Sequence, residues 1–600
     1  MSPKRYKLLQ GRVRKAKMMK MNGLLLYVLA LATSAAVADT ESGLVGYWKL
    51  RGDCKDYSGK GNDGISHGVD FRSSREARFD GRRSCIEVPN APSLQLGSRS
   101  FTVSAWIKCE CGTAQVVGDI VGKYDPDLRK GINFHVSASA PGYSSVSDAR
   151  NVHFGIDNAV EGQWVDCGRP RPENSLISTL IVYKGTLYTG IADALDPQNA
   201  CHMYAYAGGQ KWNDCGRVGD NRKTVSVMSV CVHQGELYVG TGTWNYLNLE
   251  PYGHPSVYRY EGGARWRDCG LTTPGKRITS LASFQGELYA SDDAAWIYRY
   301  QRDNDWIACG KVPEYKVLSM MSYQGGLYGG ASTMIHRYAG GTNWDIVAKF
   351  QPQDICQVHC LGVCGGQLYA GTWERGRIMR YDGNNQWIAC GDTGATTDTV
   401  IRGGRPSYNN EINDLTVYNG KMYAGVIPKG EVWRYDGGQK TTLVKRLVNN
   451  ANYSPRSHLS WRRVPCMTVF QGRLFCGTST ANGAADANLT DESGKVFSWE
   501  AGKCVSYDDD LGAAWRHLVA VREESRLKLY VDGKLTATSS SFDGTKYDIS
   551  NDRPLLIGFG AEDYFHGSMR DVRFYSRELK DSEIQALYEQ ENDATLPQRR

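Results

Sequence analysis

From about residue 161 to 510 the chain is written in short apolar–polar strands rather than long helical stripes, and the strands recur in fours. One set reads "ITSLASF", "ELYAS", "IYRY" and "WIACG". The phrase Gly-x-Leu-Tyr with a small residue after it returns seven times, with the aromatic at Tyr188, Tyr238, Tyr289, Tyr328, Tyr369, Tyr423 and Phe475. The spacings are 50, 51, 39, 41, 54 and 52 residues. A 40–50-residue period built from four strands predicts a β-propeller, whose closed ring removes the open sheet edges of a linear stack. Seven blades is the expected number. The fourth-strand piece occurs once more than the others, as "WVDCG" at Trp164 and "KCVSY" at Lys503, so one of these completes a blade begun at the other end.

The innermost strand of each repeat carries two patterned positions. Six residues before the repeat glycine stand Thr179, Ser229, Ser280, Ser319, Cys360, Asp414 and Cys466, small and mostly polar. Eight before it stand Ile177, Val227, Ile278, Val317, Val358, Ile412 and Val464, all β-branched. The first set suits a narrow axis and the second suits packing between blades. A hydrolase would need two facing carboxylates; only Asp414 and Glu411 bring acid here, both in one repeat, and no Asp-box signature is present.

Strands also flank the array. "RLKLYVDGKL", with its Asp532-Gly533 turn, reads as an antiparallel hairpin. "GLVGYWKL…DYSGKGNDG", "FDG…IEVPNAPSL", "FTVSAWIK", "WRHLVAV", "LKLYVDGKL", "LLIG" and "GSMRDVRFYSREL…EIQALY" follow one another on either side of the repeats. This order resembles the laminin-G-like, concanavalin-type jelly-roll family over about residues 43–154 and 513–588. The expected fold is therefore all-β: a sandwich at 39–160 and 511–600, interrupted by a propeller at 161–510. The resemblance implies that Trp48, Trp106 and Trp515 are packing residues.

The net charge of +7 changes little, because eight basic residues and no acid fall in the first 20 positions, so nucleic-acid binding is not indicated. That stretch, the apolar run Leu24–Leu31 and Ala36-Val37-Ala38 read as a secretory signal over 1–38, with cleavage before Asp39. An uncleaved anchor is the rival reading, and Met18, Met19 or Met21 are alternative starts. A secreted or cell-surface destination agrees with 17 cysteines, an odd number. Cys54–Cys85 is the expected bridge, and Cys466–Cys476 a weaker one. Cys109 and Cys111 could pair only with strain. The "CG" cysteines Cys167, Cys215, Cys269, Cys309 and Cys390, with Cys504, read as small buried hydrophobes. Cys356, Cys360, Cys364 and His359 make a poor zinc set on a strand. Asn452 and Asn488 head glycosylation sequons.

Two candidate sites remain. The loop "DYSGKGND" offers oxygen ligands from Asp56, Ser58 and Asn62 for a calcium ion. The resemblance adds Asp571 as a bridging acid, while the competing reading is an Asx-turn at Asp56. Trp244, Tyr246, Tyr252 and Trp373 follow the "LYxG" strands and offer platforms for sugar rings, or else wedges between blades. The expected function is a non-enzymatic binding or adhesion protein whose partner is a carbohydrate or an extracellular protein. The alternatives are a glycan-acting hydrolase and a structural envelope component.

Overall fold

The computed structural model describes residues 41–593 except 111–117, 138–144, 175, 194–195, 220–223, 244–252, 314–315, 353, 395–398, 403–404, 409, 450–460 and 481–490. Within these residues the recurring phrase is a hairpin. Lys184, Gln234, Gln285, Gln324, Gly365, Asn419 and Gln471 all have φ between +45° and +56°, and each is followed by a glycine that also has positive φ. Two consecutive left-handed residues joining directly paired strands make the tight turn that matches strand twist, and a glycine at the second position takes it without strain. The Asp532-Gly533 turn is built the same way.

Each hairpin extends by two more antiparallel strands. Blade I comprises Ile177–Tyr183, Thr186–Ile191, His202–Gly208 and Lys211–Arg217. Blades II to VI begin at Ser226–His233, Ile278–Phe284, Val317–Tyr323, Gln357–Cys364 and Glu411–Tyr418. In blade VII, Arg462–Phe470, Arg473–Thr480 and Val496–Trp499 are completed by Val165–Asp166 from the other end of the array. Among the described residues there are thus seven four-stranded units, and each inner strand packs on the next, the seventh on the first.

The repeat residues tie neighbouring blades. A Cβ added at Gly240 would lie 2.7 Å from Ile278 of the next blade, and one at Gly477 would lie 2.5 Å from Ile177, across the ring closure. Farther out, Trp212, Trp266, Trp306 and Trp344 donate their Nε1–H to the carbonyls of Cys167, Cys215, Cys269 and Cys309 of the preceding blade, at 2.8–2.9 Å. The "CG" cysteines are buried free thiols.

Every inner strand also carries a β-bulge between the two patterned positions, for example between Val358 and Cys360 and between Ile412 and Asp414. This corrects the expected division of labour. The six-before residues do not simply line an axis. Ser229 Oγ donates to Ile278 O, Ser280 Oγ accepts from Met320 N, Cys360 Sγ donates to Ile412 O, and Asp414 accepts from Met467 N. Both patterned sets bind blade to blade, and the bulge takes the residue between them out of the regular alternation.

The flanking segments form one sandwich. In its first sheet Phe101–Cys109 lies between His566–Tyr575 and Arg516–Arg522, so strands from the two sides of the insertion alternate. The second sheet runs Ile65–His67, Cys85–Val88, Leu555–Ile557, Gly118–Asp125, Lys130–Ser137, Asn151–Glu161 and Ala501–Tyr507. The segment at Lys503 is therefore a sandwich strand rather than the end of the propeller, because it pairs with Asn151–Glu161. Trp48, Phe79, Phe101, Phe134, Phe154, Leu518 and Phe574 meet in the core between the sheets. Helix α1 (Asp581–Asp593) packs Ile584 and Leu587 against Val519 and Tyr530 on the outside of the first sheet.

The second sheet is covered on its outer side by the propeller. All seven repeat hairpins reach the sandwich. Gly185 N donates to Asp508 O, Gln234 N to Asp148, Gly365 N to Ala561 O and Gly472 N to Ser506. Asn419 Nδ2 donates to Ile156 O and Ala501 O, Ser283 N to Val146 O, and Gly325 lies against Arg82. A small cavity of about 70 Å³ remains between the two bodies, with His153, Glu562, Met321 and Met467 among its walls.

Candidate binding face of the propeller

The calcium loop is brought together as expected but is filled by donors. Asp56 accepts from Tyr47 N, Ser58 N, Ser58 Oγ and Asn62 N at 2.8–2.9 Å, which is the Asx-turn arrangement. These donors outweigh partial burial and hold its carboxyl below the usual range. Asn62 is buried, donating to Val45 O and Ser93. Asp571 accepts from Tyr47 Oη at 3.0 Å and is ion-paired to Arg51 and Arg570 at 2.5 and 2.8 Å. A cation would compete there with two guanidinium groups, so these residues do not fit a calcium site. No group of three or more metal-ligating side chains is assembled among the described residues.

The expected Cys54–Cys85 bridge is not formed. Both are free thiols, and Cys54 Sγ donates to Gly64 O at 3.1 Å. Cys466 and Cys476 are likewise free, and the partner assigned to Cys109 lies outside the described residues. So do the leader, both sequon asparagines, Trp244, Tyr246 and Tyr252. Cys356, Cys360 and Cys364 do not converge on His359, which is engaged elsewhere.

The sandwich covers the hairpin end of the propeller. The residues at or next to the heads of the seven inner strands therefore mark the opposite mouth of the central channel. They are Leu176, Ser226, Arg277, Lys316, Gln357, Glu411 and Arg463. Trp373 stands here too. It pairs with Glu411 across blades V and VI and meets Trp461 edge-on, with ring centroids 6.2 Å apart.

Two adjacent bulges supply the polar centre of this face. His359 Nε2 lies 2.7 Å from Glu411 Oε1 and 2.5 Å from Gln357 Oε1. Asn413 Nδ2 donates to Glu411 Oε1 at 2.6 Å, and stands 3.5 Å from His359 Nδ1. Burial pushes the Glu411 carboxyl up, but His359, Arg463 and Asn413 outweigh it and hold it below the usual range. Burial and the neighbouring Arg277 push the Lys316 ammonium down. Arg277 is paired with Asp293 at 3.0 Å. Glu411 and Asp293 are thus each held by basic partners.

Sequence reasoning named His359 with the cysteines and Glu411 with Asp414 but did not join them, and passed over Asn413, because it read the positions six and eight before the glycine. The position seven before reads Ser178, Met228, Thr279, Leu318, His359, Asn413 and Pro465. Its chemical diversity, beside two uniform neighbours, was the available signal.

Residues 461–585 match the Concanavalin A-like lectin/glucanases superfamily. The match takes in the later sandwich strands and the three strands of blade VII that precede them. The chain thus carries a concanavalin-like sandwich interrupted by a β-propeller. No curated protein sequence matches it. Solved structures resembling it include catalytically inactive virginiamycin B lyase from Staphylococcus aureus with quinupristin, at 10% identity and TM-score 0.39, covering 56% of this chain and 98% of that one. The WD40 β-propeller domain of Doa1 matches at 9% identity and TM-score 0.35, covering 56% and 97%. PorZ, a surface component of the type-IX secretion system of Porphyromonas gingivalis, matches at 11% identity and TM-score 0.35, covering 67% and 68%. At these values the likenesses do not bear on what this chain binds.

Proposed function

We propose that this protein is a secreted binding or adhesion module that recognises a carbohydrate or an extracellular protein through the propeller face remote from the sandwich. The observation supporting it is the docking of all seven repeat hairpins on the sandwich, on its second sheet and the loops beside it. That contact occupies one mouth of the propeller and one face of the sandwich. The opposite mouth keeps the charged strand heads and Trp373. Secretion rests on the leader over residues 1–38.

A glycan array and a panel of extracellular proteins, probed with the purified chain, test the reading. Binding that falls on substitution of Trp373→Ala is the expected outcome, and absence of any ligand on both supports refutes it. N-terminal sequencing of the exported protein is expected to begin at Asp39.

One observation favours a glycan-acting enzyme instead: the His359–Glu411 pair, an imidazole held by a carboxylate, with Asp293 on the same face. Release of new reducing ends from any array ligand, abolished by Glu411→Gln, would establish that alternative.

A further inference from the structure

The contact between sandwich and propeller buries three carboxyl groups side by side. Loop 558–565 of the sandwich lies between its own second sheet and the blade V hairpin. Gly365 N donates to Ala561 O at 2.7 Å, and Gly366 N to Glu562 O at 3.5 Å. Asp119 ties the loop back to the sheet. Its Oδ2 accepts from Glu562 N and Asp563 N at 2.9 and 3.1 Å, while its own N–H donates to Asp563 O at 3.0 Å. Asp119, Glu562 and Asp563 are only 0%, 6% and 5% exposed, so water does not solvate them. Among the described residues none of the three is ion-paired with a lysine or arginine. Glu562 Oε1 lies 3.2 Å from His135 Nε2, and Asp119 Oδ1 is buried without a hydrogen-bond partner.

The surrounding groups do not supply the missing positive charge. His135 stacks on His153 with ring centroids 5.0 Å apart, and burial drives both imidazoles down. From the propeller, Cys364 approaches Glu562 and Tyr323 approaches Asp563. Burial raises the Cys364 thiol to about 12 and the Tyr323 hydroxyl above its usual range, so neither adds charge. Tyr323 Oη donates to Gly366 O at 3.0 Å. Lys421, in the field of Cys364, is paired with Asp436 at 3.9 Å. Tyr564, in the loop itself, stacks on Phe559 at 4.1 Å. Burying adjacent carboxylates unpaired costs more than leaving protons on them.

The cavity of about 70 Å³ opens onto this cluster. Glu562 and His153 wall it on the sandwich side, and Met321, Gly362 and Thr416 on the propeller side. Thr416 Oγ1 is buried without a partner. At roughly 10–15 Å³ for each water, the space admits several, so hydration of the acids begins there without unpacking a core.

We propose that loop 558–565 and the blade V hairpin form a proton-locked joint, docked while Asp119, Glu562 and Asp563 carry protons and released locally as they ionise. The joint does not depend on which ligand the protein binds. Because burial raises the three acids, with Asp119 at about 7, the lock is complete below their ordinary range and is lost as pH rises through about 7 and beyond. The histidines oppose docking only as pH falls through about 4. Release is local because other bonds, such as Ser283 N to Val146 O at 2.7 Å, still join the two bodies.

Hydrogen exchange of the full chain from about pH 6 to 9, corrected for the intrinsic pH dependence of exchange, tests the joint. Gly365 and Gly366 amides report on it. The Ser283 amide reports on a contact that includes no member of the acid cluster. Protection at Gly365 and Gly366 is expected to fall by up to about tenfold per pH unit above about pH 7, the effect of one proton lost per opening. Protection at Ser283 is expected to stay level. The triple variant Asp119→Asn, Glu562→Gln and Asp563→Asn is expected to abolish the fall. No fall at Gly365, or an equal fall at Ser283, overturns the proposal from the parent chain alone, whether or not the variant folds. A triple variant that melts as the parent does at about pH 6, yet loses protection as steeply, overturns it too.

Discussion

Individual side chains explain why the repeat spells what it does. The Gln-Gly or Asn-Gly pair is a left-handed turn, the glycine after Leu-Tyr-x admits the next blade, and the tryptophan reaches a cysteine carbonyl one blade back. Replacing Gly477 by Ala puts a methyl group 2.5 Å from Ile177 at the ring closure. Overpacking of this kind costs about 1–3 kcal/mol, and chemical denaturation is expected to show a midpoint lowered accordingly. Trp306→Phe keeps most of the ring but loses the 2.8 Å bond to Cys269 O. A loss of about 1 kcal/mol is expected in the same measurement. The cysteines themselves behave as packing residues. Burial pushes the thiols of Cys269 and Cys201 up to about 11 and about 12, so they are poor nucleophiles at neutral pH.

At the scale of elements, hairpins and strand order were legible because both rest on local chemistry: turn residues, period-two alternation and a fixed repeat length. The bulge was not. It inserts one residue into the ladder, and period-two counting cannot see it until the partner strand is in place. This is why Asp414, read as channel-facing, instead accepts from Met467 N of the next blade, and why Asn413 and the place of His359 beside it were missed. Membership of the fourth strands was also decided by pairing. "WVDCG" and "KCVSY" look alike, but only the first finds an open blade edge, where Cys167 N donates to Val496 O at 2.9 Å. Cys167→Pro removes that donor and is expected to cost about 3 kcal/mol or more, read as earlier melting. A propeller that closed without this strand would leave the variant unchanged.

For the whole molecule, the contact between sandwich and propeller is a buried polar surface. Burial pushes the carboxyl of Asp119 up to about 7 and that of Asp508 up to about 6, and raises Glu562 and Asp563 well above their ordinary values. Burial also drives His153 down to about 4, and His135, beside Glu562 and stacked on His153, down with it. The acids favour the folded state fully below their ordinary range near 4, and that contribution is lost as pH rises through about 6 to 7. The histidines contribute above about 6.5, and their contribution is lost as pH falls through about 4. Stability measured against pH is thus expected to decline from about pH 5 toward 8 through the acids. Asp119→Asn is expected to flatten that decline and to be the more stable protein at pH 8 by about 2–4 kcal/mol, with little difference near pH 4. An unchanged slope would show that Asp119 does not titrate at the interface.

From the chain alone one can read an all-β protein, a propeller of seven repeats and a sandwich split around it, because turn chemistry and strand alternation are properties of neighbouring residues. Tertiary structure alone decided which ends of the propeller are covered and how Asp56 and Asp571 spend their lone pairs. It also decided that Cys54 and Cys85 remain thiols and that His359 meets Glu411. Each of those depends on groups separated by tens or hundreds of residues, whose distance and burial are set only when two sheets and seven blades have packed together.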